Sequence, residues 1–88
     1  MMVSEHTSSQ TMPLSLVAPG ESVIFVDSRV EGALRQRLNE MGLTPGAIIR
    51  VVQADTTGAM ILAIRHDTRL AVGRSTAHKI TVRLAGER

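Results

Sequence analysis

The sequence has no cysteine, no tryptophan and no tyrosine, and Phe25 is its single aromatic residue. Without thiols there is no disulfide framework, no thiolate metal site and no cysteine nucleophile. Without stacking aromatics, the platform on which small barrels hold single-stranded nucleic acid is missing. The aromatic-lined grooves that read proline-rich peptides are missing too. No apolar run approaches the ~20 residues a helix needs to cross a bilayer. Residues 1–12, MMVSEHTSSQTM, include Glu5 and have no apolar stretch, so they do not read as a secretory leader. No G-x-x-x-x-G-K-[ST] or G-x-G-x-x-G phosphate loop occurs. The histidines, His6, His66 and His78, lack the H-x-x-x-H and H-E-x-x-H spacings of metal sites and read as loop side chains facing water. Ser75, His78 and Asp67 supply the residue types of a hydrolytic triad, but no G-x-S-x-G elbow surrounds a serine. The sequence therefore reads as neither an enzyme nor a cofactor carrier.

What is present is 88 residues, 43% hydrophobic and 20% charged, which suits one small globular domain. The net charge is +2 but unevenly placed: residues 1–49 hold three Arg against five acids, and residues 50–88 hold six Arg and one Lys against three acids. A basic half attracts phosphates or acidic protein surfaces. Arg50, Arg65, Arg69, Arg74, Lys79 and Arg83 carry it, and in the plainest reading they form a solvated surface. Residues 1–12 are polar and read as a flexible tail, with the folded unit spanning 13–85.

Within that unit, Pro19-Gly20 and Pro45-Gly46 each carry the signature of a type II turn, because proline presets φ at the first central position and glycine accepts φ > 0 at the second. Val23 to Val26 reads as a strand. Between the two turns, Leu34, Leu38 and Met41 recur at i, i+4 and i+7, the stripe of a three-turn helix. Ser28 and Glu31 have the spacing of a capping box for it. Gly42 stands where a left-handed C-cap belongs. After Gly46 the periodicity is two. Ile48–Val52, Ala59–Arg65, Leu70–Val72 and Ile80–Leu84 read as strands, and Gly73–His78 as about one helical turn. Short strands at this spacing in so small a chain predict an all-β domain with one inserted helix, closed as a small barrel of about five strands. The predicted inward set is Val23, Phe25, Ile49, Val51, Leu62, Ile64, Leu70, Val72, Ile80 and Val82. With no catalytic set, an interaction module remains, its candidate surface the helix end and following turn: Met41, Leu43, Thr44 and Pro45. Two rivals stand beside it, a nucleic-acid-binding barrel and a metal-sensing module using His66 and His78.

The stretch Gly32-Ala33-Leu34-Arg35-Gln36-Arg37-Leu38-Asn39-Glu40-Met41-Gly42-Leu43-Thr44-Pro45-Gly46 resembles the hallmark of the FeoA family, G-x-L-R-x-R-L-x-x-[ML]-G-[LI]-x-x-G. Leu14-Ser15-Leu16 with Pro19-Gly20 resembles the family's opening, and Ala77-His78-Lys79-Ile80-Thr81-Val82 its closing motif. The sequence departs from the family pattern at Thr56-Thr57-Gly58, Val72-Gly73 and Thr76-Ala77. The resemblance implies an SH3-like β-barrel and a cytosolic accessory protein of ferrous iron uptake, an ion-transport function. It implies docking on the permease FeoB, which carries a cytosolic G-protein domain, with no nucleic acid bound, no membrane insertion and no cofactor. A homodimer stays open. The same fold occurs at the C-terminus of DtxR-type metal-dependent repressors; no winged-helix domain precedes it in this sequence, which favours the free-standing accessory protein. Carried over by position, the partner-binding candidates are Arg35, Arg37, Met41, Leu43, Thr44 and Pro45. Leu34 and Leu38 become packing residues, and Gly42 and Gly46 backbone-geometry residues. Arg35 and Arg37, two apart on a helix, diverge by about 200°, so at most one centres a given contact.

Overall fold

The computed structural model describes residues 10–55, 58–65 and 68–85. The described chain forms β1 (Met12–Pro13), a 3-10 turn (Leu14–Leu16), β2 (Ser22–Ser28), α1 (Gly32–Glu40), β3 (Ile48–Ala54), β4 (Ala59–Ile64), β5 (Thr68–Gly73), α2 (Arg74–His78) and β6 (Ile80–Leu84). All strand pairs are antiparallel, in the order β1-β6-β2-β3-β4-β5. The predicted closure into a barrel is not present among the described residues: there β5 pairs only with β4 and β1 only with β6, so the sheet is open between them. The Arg74 guanidinium spans part of that opening. It donates to the Ser15 carbonyl at 3.0 Å and to the Asp55 carbonyl at 3.3 Å. The sixth strand, β1, draws Met12 into the sheet opposite Val82, so ordered pairing begins one residue before the predicted boundary. Residues 1–9 of the expected tail lie outside the described residues.

Nine of the ten predicted inward residues are buried; Leu70 is only partly so. Leu14, Val17, Val30, Leu38, Leu43, Met60 and Ala77 complete the core. Two bulges keep this burial consistent. Strict alternation would carry Val23 and Phe25 on to Asp27, and Val51 on to Gln53, placing a carboxylate and an amide inward. The register against the neighbouring strand instead shifts between Phe25 and Asp27 and between Val51 and Gln53. Val26 and Val52 are the extra residues. Asp27 and Gln53 consequently turn outward, while Ser28 and Ala54 face the core side.

Both Pro-Gly turns form as the sequence predicts. The Glu21 amide donates to the Ala18 carbonyl across Gly20 (φ 94°), and the Ala47 amide to the Thr44 carbonyl across Gly46 (φ 93°). The second turn returns the chain to the sheet, where the Gly46 amide donates to the Phe25 carbonyl at 2.9 Å. α1 ends in a Schellman motif: Leu43 N–H donates to Leu38 C=O and Gly42 N–H to Asn39 C=O, each at 3.0 Å, with Gly42 at φ 104°. Leu38 and Leu43, the motif's apolar pair, are both buried. The start of α1 differs from expectation. Glu31 is the N-cap, makes no side-chain cap bond, and no capping box forms. Ser28 is part of β2.

Candidate functional site

The six partner-binding candidates separate once placed in space. Arg35 and Arg37 stand exposed on α1. Met41 is half-buried at the helix C-cap. Leu43 is 0% exposed and sits in the core, so the apolar surface contact expected of it has no accessible atoms to make it. Its position is set by the left-handed glycine before it, which turns the chain so that Leu43 folds under Leu38. Thr44 and Pro45 are exposed and line a groove of ≈ 800 Å³. Leu34, expected as a packing residue, is 43% exposed. Leu38 is therefore the only buried residue of α1, and the helix is anchored through its last turn.

Sequence reasoning missed the rest of that groove. It continues from the Thr44–Gly46 turn onto the outer face of β3, β4 and β5, where Ile48, Arg50, Arg65 and Arg69 line it with Ala63. Arg50 pairs with Ala63, and Ala63 with Arg69, so the three form one row across three strands. Residues directly opposed in neighbouring strands point to the same side, with strands ~4.8 Å apart. Two arginines thus flank an alanine, about 10 Å from one another. Ile48 stands two residues from Arg50 on the same face and is 60% exposed. Arg65 holds a left-handed backbone, φ 61°, uncommon for a residue with a side chain. Its guanidinium packs over Gly42: a Cβ at Gly42 would lie 3.3 Å from Arg65 Nε and 3.2 Å from Ile64 Cγ2. No acidic side chain is among the described residues lining this groove. Asp67, which falls between Arg65 and Arg69 in the sequence, lies outside the described residues, as does His66. The sequence signal was the arginine spacing on consecutive strands, but register was needed to bring the side chains together.

A second groove, of ≈ 500 Å³, lies between the 3-10 turn and α2, lined by Ser15, Arg29, Arg74, Ser75, His78 and Lys79. Here Arg74, His78 and Ser15 are tied into the fold by hydrogen bonds. Arg74 is engaged by two main-chain carbonyls, and His78 Nδ1 shares a hydrogen bond with Ser15 Oγ at 3.3 Å. Ser75 and His78 line the same groove, while Asp67, the third member of the triple considered above, is outside the described residues. Among the described residues no group of three His, Cys, Asp or Glu side chains gathers as a metal site. Among them, too, no helix is long and apolar enough to cross a membrane.

These features define a class: a small antiparallel β domain with helices, an apolar core and arginine-lined grooves on its surface. The comparisons with known proteins carry the class to a family. A family model described as the FeoA domain matches residues 12–84. The chain belongs to the FeoA domain family. Among solved structures, the crystal structure of an iron uptake regulatory protein (FeoA) is 36% identical, with a TM-score of 0.74 over 84% of this chain and 96% of that one. The solution structure of FeoA from Chlorobium tepidum is 29% identical, with a TM-score of 0.78 over 88% of this chain and 74% of that one. A manganese-dependent transcriptional repressor shares the fold alone, at 16% identity and a TM-score of 0.76 over 85% of this chain and 42% of that one. None of the curated proteins compared with the chain matches it.

Proposed function

We propose that this chain is a cytosolic accessory protein of ferrous iron uptake that docks on the cytosolic part of the FeoB permease and modulates it, forming and breaking no covalent bonds itself. The observation that carries this reading is the family match over residues 12–84, supported by 36% identity to an iron uptake regulatory protein, 96% of which the match covers. The surface chemistry agrees with it. In the groove, Arg50, Arg65 and Arg69 with Ile48 supply charge and aliphatic surface, which suits contact with another macromolecule. Of the six partner-binding candidates, Thr44 and Pro45 line an open groove, which supports a docking contact that includes them. Arg35 and Arg37 offer charge on α1, outside that groove.

The test is a calorimetric titration of the full chain into the cytosolic region of FeoB from the same genome, repeated with whole FeoB in lipid nanodiscs. Saturable binding is expected in both. Absence of binding in both at low salt, where charge-assisted contacts are strongest, contradicts the reading.

A further inference from the structure

We infer that the outer face of β3, β4 and β5, together with the Thr44–Gly46 turn, is the docking face, and that its occupant is an acidic polypeptide segment carrying aliphatic side chains. The inference rests on the reading of the chain as a docking protein and names the surface and the chemistry of what sits on it.

Four observations converge. Arg50, Arg65 and Arg69 line one groove, with no acidic side chain among the described lining residues. Like charges gathered in one groove raise the local positive potential and favour an incoming carboxylate. Second, the floor between Arg50 and Arg69 is Ala63, a small residue in register with both. A partner chain can therefore approach the sheet closely between the two guanidinium groups. Third, the groove is not purely ionic. Ile48 is 60% exposed at one end, beside Pro45 and Ala47. An occupant with aliphatic groups covers this surface; one with charge alone does not. Fourth, Arg65 joins the groove from the Gly42 side. Its backbone is left-handed, φ 61°, and its guanidinium lies beside Gly42, so a third cation borders the same groove as Arg50 and Arg69.

A nucleic acid also presents negative charge. The face lacks what single strands use, because it has no aromatic platform: Phe25, the only aromatic side chain, is buried in the core. Aliphatic groups between arginines fit an acidic peptide better.

The experiment has two arms. In the first, the isotopically labelled full chain is titrated with a short synthetic peptide in which glutamates alternate with leucines and serines, and separately with an oligothymidylate of equal charge. The peptide is expected to shift the amide resonances of Ile48, Arg50, Ala63 and Arg69 saturably, and more tightly than the oligothymidylate binds. Shifts confined to α1, no shifts, or tighter binding of the oligothymidylate overturn the inference. In the second arm, binding to the cytosolic region of FeoB is compared for the natural chain, for Arg50→Glu with Arg69→Glu, and for Ile48→Ser, each checked for an unchanged unfolding midpoint. Charge reversal is expected to weaken binding at least about tenfold, or about 1.4 kcal/mol, with a smaller loss for Ile48→Ser. If FeoB binds the reversed variant as well as the natural chain, the face is wrong and the FeoB reading stands. If FeoB binds neither while the peptide maps to the face, the face stands and the FeoB reading falls.

Discussion

The helix-turn segment, Gly32–Gly46, and the arginine face of β3–β5 divide the labour of this domain. The segment holds nearly all of the family motif. Its distinctive residues act on the path of the backbone: Leu38 and Leu43 clamp the Schellman motif, Gly42 takes the left-handed conformation, and Gly46 closes the type II turn. The face carries no motif, yet exposes three arginines and an isoleucine around a shallow groove. A short motif persists in recognisable form where backbone geometry admits few residue types. A contact surface can be assembled from commoner residues drawn from several strands.

That contrast is open to direct attack. The largest effect is expected at Leu43. Leu43→Ala removes a fully buried side chain from the core and is expected to lower stability by about 2–5 kcal/mol in urea unfolding. Leu43→Glu should leave no cooperative transition, since it buries an unpaired charge. A folded Leu43→Glu with weakened partner binding would instead return Leu43 to the contact surface. Next come the glycines. Gly42→Ala is expected to cost about 2–3 kcal/mol, combining left-handed strain with crowding against Ile64 and Arg65. Gly46→Ala, with nothing within 4 Å of its added Cβ, should cost about 1–2 kcal/mol from strain alone. Equal losses at the two sites would mean that the Arg65 contact over Gly42 contributes nothing. A smaller effect is expected at Leu34, where truncation to Ala at a 43% exposed site should lower stability by less than about 1 kcal/mol. The smallest is Arg50→Glu with Arg69→Glu, expected to stay within about 0.5 kcal/mol in thermal melts because both side chains are exposed.

Much of the frame was legible from residue order. Pro19-Gly20 and Pro45-Gly46 announced their turns because two residue types satisfy the two special φ values. Gly42 announced the helix end for the same reason. Alternation identified most of the core, since one sheet face is buried. The bulges were hidden because Phe25-Val26 and Val51-Val52 read as unbroken strand, and only Asp27 and Gln53 hinted that alternation must slip. The apolar stripe of α1 misled. Leu34, Leu38 and Met41 share a helical face, but periodicity does not say how far a helix overhangs the sheet it packs on. The row Arg50–Ala63–Arg69 depends on register across three strands, which no local pattern encodes.

The most direct measurement is hydrogen–deuterium exchange of the full chain, free and saturated with the cytosolic region of FeoB. Slowed exchange confined to Thr44–Ala54, Ala59–Arg65 and Thr68–Gly73, with Gly32–Glu40 unchanged, is what this account predicts. Protection on Gly32–Glu40 with the β3 and β5 amides unaffected would contradict it.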